Sequence, residues 1–438
     1  MKRWVSLLLA GSMLVGLLTG CSPSDSSSKA QPESEAAKVP TVSSGQKYTV
    51  QFWHALSGQN LKYLTSVITD YNSSHPDIQV VSTYQGSYKT SQTKLQTAVA
   101  SGNTPDVCML ERSNVQYFAD SDALEDLSPY LKESQMTADL FTEGLMGHST
   151  FGGKLVSLPF NRSEPILFVN KTLFQEMNLT APKTWDELKE VSNALVQKKD
   201  GKVTRYGFSM PYDTWYPMAM LTQCGGKFFN DEGTDVGYTD AQMNKVFNFL
   251  VDALNTGAMY YPPQQGGGDR VDQMFAAGQL GMVFQSTGMN GAIKKLVDGK
   301  FEYEMVFMPK DEKYAQPTGG GNVVIPAKAE NKAAAWEFVK WLVTDPKGAQ
   351  QFIIESGYLP FTKAMTESAE IKAMWEKDPN LKVAYDQLQY AVDTNKSTNW
   401  PLVENDFKTA MSAILYDKKD VAATVTTFTA NAKKNLKQ

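Results

Sequence analysis

Cysteine and histidine are scarce in this chain, three of each in 438 residues. His54, His75 and His148 stand far apart, with no spacing that sets two on one face of a helix, and this excludes the usual pattern of a zinc hydrolase. Besides Cys21 only Cys108 and Cys224 remain, and buried thiols are the simpler reading of two cysteines so distant in sequence, with their pairing left open. An excess of basic residues is lacking as well: 42 Lys and Arg stand against 47 Asp and Glu, which argues against a nucleic-acid partner, since that needs a basic face. Gly152-Gly153-Lys154 and Gly225-Gly226-Lys227 lack the earlier glycine and the following Ser or Thr of a phosphate-binding loop, and read as turns. No Gly-x-Ser-x-Gly elbow occurs, and no pattern singles out a glycosidase pair among the carboxylates. No catalytic, metal-binding or cofactor-binding residue follows from the sequence.

Long apolar runs are also missing, with one exception. Met1, Lys2 and Arg3 are followed by an apolar stretch from Trp4 to Leu18 and then by Leu18-Thr19-Gly20-Cys21. The stretch is shorter than the roughly 20 residues of a bilayer span, so residues 1–20 read as an export signal. Leu-Thr-Gly-Cys resembles the lipobox of bacterial lipoproteins, and that resemblance makes Cys21 a lipidated first residue of the mature chain, tethered to the outer face of the cell membrane. Residues 21–47, rich in Ser, Pro, Ala, Glu, Lys and Gln, cannot build a core and read as a flexible leash. With Lys2 and Arg3 removed, 40 basic residues face 47 acidic ones, a net charge near −7.

About 390 residues after the leash exceed what one core usually organises, and two domains are expected. Aromatics are abundant, 8 Trp, 19 Tyr and 21 Phe, many beside Gly, Asn, Ser or Asp in polar loops. Alternation marks strands at 48–54 and 78–84, and helical spacing marks 60–71 and 88–101. A short buried strand at 106–110 completes strand, helix, strand, helix, strand, the order of a parallel α/β sheet, whose ligands collect at the carboxyl ends of strands. Trp53-His54, Gln85 to Tyr88 and Glu111-Arg112 occupy those ends. Further strands are expected at 166–170, 206–210, 280–285 and 323–325. A capping box at Thr184 and Glu187 opens a helix, others cover 240–255 and Trp336 to Val343, and Tyr212 to Trp215 and the Gly-rich stretch 264–269 read as loops.

Phe52-Trp53-His54, Thr83-Tyr84-Gln85-Gly86-Ser87-Tyr88, Ala100-Ser101-Gly102-Asn103-Thr104-Pro105-Asp106, Leu158-Pro159-Phe160-Asn161, Lys183-Thr184-Trp185, Ser286-Thr287-Gly288 and Gly357-Tyr358-Leu359-Pro360 carry a resemblance. In this order and at similar spacing they recur in the extracellular solute-binding proteins of ABC importers, and the chain resembles that family over nearly its whole length after the leash. Within it the glycerol-3-phosphate binders are the most similar. The resemblance implies an α/β, two-lobe periplasmic-binding-protein fold with a hinge and an interlobe ligand cleft. It implies a first lobe of 48–157 plus 312–362 and a second of 158–311 plus 363–438. It also implies a monomer that captures a small molecule and hands it to membrane permease subunits, without catalysis. Carried over residue by residue, Tyr88, Glu111, Ser163, Thr287, Gly319, Gly320, Tyr358 and Lys396 fall at ligand contacts. Tyr212 falls where the family stacks a Trp, with Trp215 beside it. Glu111 can accept from hydroxyls, whereas the Ser163, Thr287 and Tyr358 hydroxyls and a glycine N–H can donate to phosphate oxygens.

Two departures bear on the ligand. Lys396 stands where the family has an Arg, so a phosphate meets a point charge and no bidentate fork, and Tyr212 replaces the Trp. Trp53, Trp215 and Trp400 suit a pyranose face. Arg162 is open to two readings, a second phosphate contact or a surface residue. The expected ligand is glycerol-3-phosphate, a glycerophosphodiester or a sugar, with a neutral mono- or oligosaccharide as the alternative. Rivals of other classes are a secreted carbohydrate-processing hydrolase and a signalling protein that presents its ligand to a membrane receptor.

Overall fold

A computed structural model describes residues 39–394 and 396–437. The expected export signal, Cys21 and most of the leash lie outside the described residues. The strands of the two main sheets are β1 (Tyr48–His54), β2 (Ile78–Tyr84), β3 (Val107–Glu111), β4 (Leu158–Ser163), β5 (Pro165–Asn170), β6 (Gln197–Lys199), β7 (Lys202–Ser209), β8 (Met259–Tyr260), β9 (Leu280–Ser286), β10 (Tyr303–Val306) and β11 (Gly319–Val324). The helices that concern the site are α1 (Gly58–Ser74), α2 (Tyr88–Ser101), α3 (Trp215–Gln223), α4 (Asp240–Thr256), α5 (Gly267–Ala276), α6 (Lys332–Thr344), α7 (Trp400–Leu415) and α8 (Val421–Asn435).

Local sequence explains the elements around the cleft. Leu64, Val67, Ile68 and Tyr71 form the buried stripe of α1, as the 3.6-residue period requires. Ser87 Oγ accepts from Thr90 N at 3.3 Å to start α2, and Gly102, at φ 73°, ends it in the left-handed conformation that glycine adopts without strain. The capping box expected at Thr184 is half formed. Thr184 accepts from Glu187 N, but the Glu187 carboxylate accepts from Lys183 N. A complete box, Thr239 with Gln242, opens α4.

The first sheet runs β2-β1-β3-β11-β4. β1 pairs in parallel with β2 and β3, in register Tyr48 with Ile78 and Phe52 with Val107. The parallel expectation ends there, because β11 is antiparallel to both β3 and β4. The second sheet runs β8-β7-β9-β5-β10, with β6 folded back on β7. β5 is antiparallel to β9 and β10. All residues of β4 and β5 are buried, which accounts for their lack of alternation.

The boundary between lobes falls one strand later than expected. Leu158–Ser163 pairs with Gly319–Val323 at the edge of the first sheet, so the chain crosses at Ser163-Glu164-Pro165 and not before Leu158. A second crossing descends from β10 to β11, and a third follows Gln387. The last two meet in a parallel pair, Gln316 with Ala391 and Pro317 with Val392. Residues 363–384, expected in the second lobe, bridge both: Met365, Ile371, Met374 and Leu381 share one buried cluster with Phe352 of the first lobe and Phe168 and Phe275 of the second. α7 and α8 pack on α4 in the second lobe. Cys108 and Cys224 are free and buried. No helix among the described residues is long and apolar enough to cross a membrane.

Candidate functional site

A cavity of 620 Å³ opens between the two lobes, a volume typical of small-molecule sites. The first lobe contributes Ser87, Tyr88, Lys89 and Gln92 from the start of α2 and Glu111 to Asn114 from the end of β3. The second contributes the start of α3, the start of α5, the end of β9, and Trp400, Glu404 and Lys408 along one face of α7. Ser163, Gly319 and Gly320, at the crossings, and Tyr358 complete the wall. The carboxyl end of β3 thus meets its expectation, whereas Trp53 and His54 do not line the cavity, and His54 is buried.

The glycines of β11 set how closely the aromatic rings approach. A Cβ on Gly319 would lie 2.4 Å from the Trp215 ring, and one on Gly320, at φ +80°, would lie 1.9 Å from the Asn161 carbonyl oxygen. No side chain fits at either place. Trp215 is therefore held flush against the crossing, where its Nε1 donates to Pro317 O at 3.0 Å. Tyr88 is fixed from behind by Asn161, whose Nδ2 donates to its hydroxyl at 2.8 Å. Tyr358 stacks on Phe352, ring centres 5.5 Å apart.

Carboxylates dominate the charge of the wall. Glu111, Asp213, Asp269, Asp272 and Glu404 line it, against Lys89, Arg112 and Lys408. Two of those cations are already engaged. Lys408 Nζ sits 2.8 Å from Glu404. Arg112 donates through Nε to Thr318 O and through Nη1 to Thr394 O, and Nη1 lies 2.5 Å from His148 Nε2. Glu111 accepts from Ser113 N at 2.9 Å and Asn114 Nδ2 at 3.3 Å. Burial pushes its carboxyl up to about 7; Arg112 opposes the shift and the charge of Glu404 adds to it. Burial likewise raises Asp272 to about 6, against the bond that Gln285 donates to it.

Of the ten residues expected at the ligand, Tyr88, Glu111, Ser163, Trp215, Gly319, Gly320 and Tyr358 line the cavity. Tyr212, Thr287 and Lys396 do not. Tyr212 points into the second lobe, where its hydroxyl donates to Lys408 O at 3.1 Å and lies 2.8 Å from Ser412 Oγ, and its ring packs on Tyr261 and Tyr416. Thr287 is 0 % exposed and its hydroxyl accepts from Glu164 N. Lys396 pairs with Asp393 at 2.5 Å. Although burial acts to raise Asp393, His148 and Lys396 hold it well below the carboxylate range. Arg162 is neither a phosphate contact nor a surface residue. It is 0 % exposed and donates to Gly319 O, Leu145 O, Asn322 Oδ1 and Thr318 Oγ1. For binding, the sequence singles out none of the wall residues of α5 and only Trp400 of α7, although Glu404 and Lys408, four apart, carry the spacing of a helical ion pair.

Residues 66–383 match the family described as bacterial extracellular solute-binding protein. The maltotriose-binding protein of Pyrococcus abyssi is 25% identical over 397 residues, 88% of this chain and 82% of that protein. The sn-glycerol-3-phosphate-binding periplasmic protein UgpB of Escherichia coli is 26% identical over 361 residues, 78% and 80% of the two chains. Among solved structures, the ABC substrate-binding protein Lmo0181 from Listeria monocytogenes in complex with cycloalternan superimposes with a TM-score of 0.80 at 18% identity, covering 89% of this chain and 99% of that one. That likeness shows the same two-lobe fold. With the family matched over most of its length, this chain belongs to the bacterial extracellular solute-binding proteins that serve ABC importers.

Proposed function

We propose that this protein captures an uncharged, hydroxyl-rich carbohydrate between its lobes and delivers it to the permease of an ABC importer. One observation carries the choice of ligand: the lysine expected to hold a phosphate is spent on Asp393 outside the cavity, while five carboxylates line the wall. An anionic phosphate would face those carboxylates with Lys408 already neutralised by Glu404 and Arg112 turned into the crossings. Carboxylates suit sugar hydroxyls, which donate to them, and Trp215, Tyr358 and Tyr88 supply apolar ring faces for the carbon skeleton. The maltotriose binder among the relatives supports this reading. A second reading, a glycerophosphate or its diester, draws on the glycerol-3-phosphate relative and on Lys89, exposed in the first turn of α2. The protein acts as a lipid-anchored monomer held by Cys21 and binds without turnover.

Calorimetry with maltotriose, other neutral mono- and oligosaccharides, glycerol-3-phosphate and glycerophosphocholine tests the ligand. Binding of at least one neutral sugar more tightly than either phosphate compound is expected. Tighter binding of glycerol-3-phosphate than of every sugar would overturn the choice and leave the family role intact. Hydrolysis of a bound glycoside that vanishes in Glu111→Gln would make the protein an enzyme instead.

A further inference from the structure

Glu164 is a carboxylate that ligand binding does not use. It sits in the first crossing, is 0 % exposed, and does not line the cavity. Its Oε2 accepts from Gln316 Nε2 at 3.1 Å, in the second crossing. The same Gln316 nitrogen donates to Gln387 O at 2.9 Å, where the third crossing begins, and Gln387 Nε2 returns to Pro165 O at 2.8 Å. Gln387 Oε1 accepts from Met308 N at 2.7 Å. The end of β9 joins through the main chain: Thr287 N donates to Glu164 O at 3.0 Å, and Glu164 N to Thr287 Oγ1 at 3.2 Å. All three segments that connect the lobes are therefore tied through one acid and two amides. We propose that Glu164 is the positioning residue of the hinge, holding the three crossings together in its protonated form and releasing them when it ionises.

The chemistry of the knot favours the acid. Oε1 of Glu164 has no hydrogen-bond partner among the described residues, so an anion there would rest on neutral amides alone, Gln316 at Oε2 and Gln387 nearby. Among the described residues no cation supplies the rest. Arg162, two residues earlier, is spent on Gly319, Leu145, Asn322 and Thr318. On the other packed elements, Lys382 pairs with Asp386, Lys310 lies over the Tyr314 ring, and Asp393 is held by His148 and Lys396. A buried anion so poorly matched is costlier than a neutral carboxyl with one unmade bond. Burial accordingly pushes the Glu164 carboxyl up to about 8, with the amides of Gln316 and Gln387 opposing.

The pH dependence follows with a definite sign. An opened hinge that lets water reach Glu164 returns it toward its ordinary value of 4.5. Between that value and about 8 the open state is ionised while the closed knot keeps its proton, so opening is favoured roughly tenfold per pH unit and levels off above. The hinge is tightest in mild acid.

Amide hydrogen exchange of the ligand-free protein between pH 6 and 9, corrected for intrinsic exchange, tests this at Thr287 and Met308. Protection is expected to fall roughly tenfold per unit up to about pH 8 and then to flatten, and Glu164→Gln is expected to abolish the slope. An equal slope in Glu164→Gln would overturn the proposal and assign the effect to another buried carboxyl, Glu111. Should that variant not fold, carbon-13 titration of Glu164 in the native protein decides: a midpoint near 8 supports the pin, and one below about 5 overturns it. Neither readout depends on the identity of the ligand.

Discussion

Ser163 and Glu164, Ser286 and Thr287, and Gly319 and Thr318 are neighbours in the chain, yet the two members of each pair serve different regions. Ser163, Ser286 and Gly319 line the cavity. Glu164, Thr287 and Thr318 are buried behind it and bind the crossings and Arg162. The pairs sit at strand ends, where successive side chains point to opposite faces. A shift of one position therefore moves a residue from the cavity to the hinge: Ser286 lines the cavity and Thr287 does not. The wall and the hinge also differ in how they meet polar cost. The wall gathers five carboxylates, whereas the hinge is a network of mostly neutral donors and acceptors in which Glu164 Oε1, Thr394 Oγ1 and His148 Nδ1 are left without partners among the described residues.

Arg162→Ala would break the hinge side most severely. It strips the donor from four buried neutral acceptors, and each one left unpaired costs about 1–3 kcal/mol, so a loss of at least about 3 kcal/mol is expected. Chemical denaturation should show that loss, with Tm lower by roughly 5 °C. If stability held and affinity collapsed instead, Arg162 would belong to the wall and the division drawn here would fail.

Trp215→Ala probes the other side. Its ring lies in the wall against Gly319, and the apolar contact it offers a sugar is worth about 1.5–3 kcal/mol, roughly a ten- to hundredfold weaker Kd. Calorimetry against the tightest sugar found should read that loss, while Tm moves less than in Arg162→Ala. Unchanged affinity would take Trp215 out of the site.

Local signals make much of this architecture legible in the sequence. Alternation marks β1 and β2 to the residue and helical spacing marks α2, because strand and helix periods are written within a few residues. α3 was missed for the opposite reason: Tyr216 to Gln223 are all buried, so no stripe distinguishes a helix. α5 is not legible at its start, which falls in the Gly-rich stretch 264–269: Gly266, in the left-handed conformation at φ 68°, and Gly267 open it. The loss of α7 cost the most, since Glu404 and Lys408 reach the cavity from the far end of the chain. Seven of the ten expected ligand residues do lie on one wall. The positive charge was the part that local sequence could not place, since a lysine's pairing depends on which carboxylate the fold brings near it.

Lys396→Ala is expected to have the smallest effect and bears most directly on the ligand. The Lys396 and Asp393 side chains are 42% and 34% exposed, and a pair in that setting contributes about 0–1 kcal/mol. Asp393 also keeps its contact with His148 at 2.9 Å when the lysine is gone. Stability should therefore change by less than about 1 kcal/mol, and affinities for a sugar phosphate and for the same sugar without phosphate should fall equally or not at all. A loss confined to the phosphorylated compound would mean that Lys396 leaves Asp393 and reaches the cavity when ligand enters. It would move this residue from the hinge to the wall and restore phosphate as the group the protein recognises.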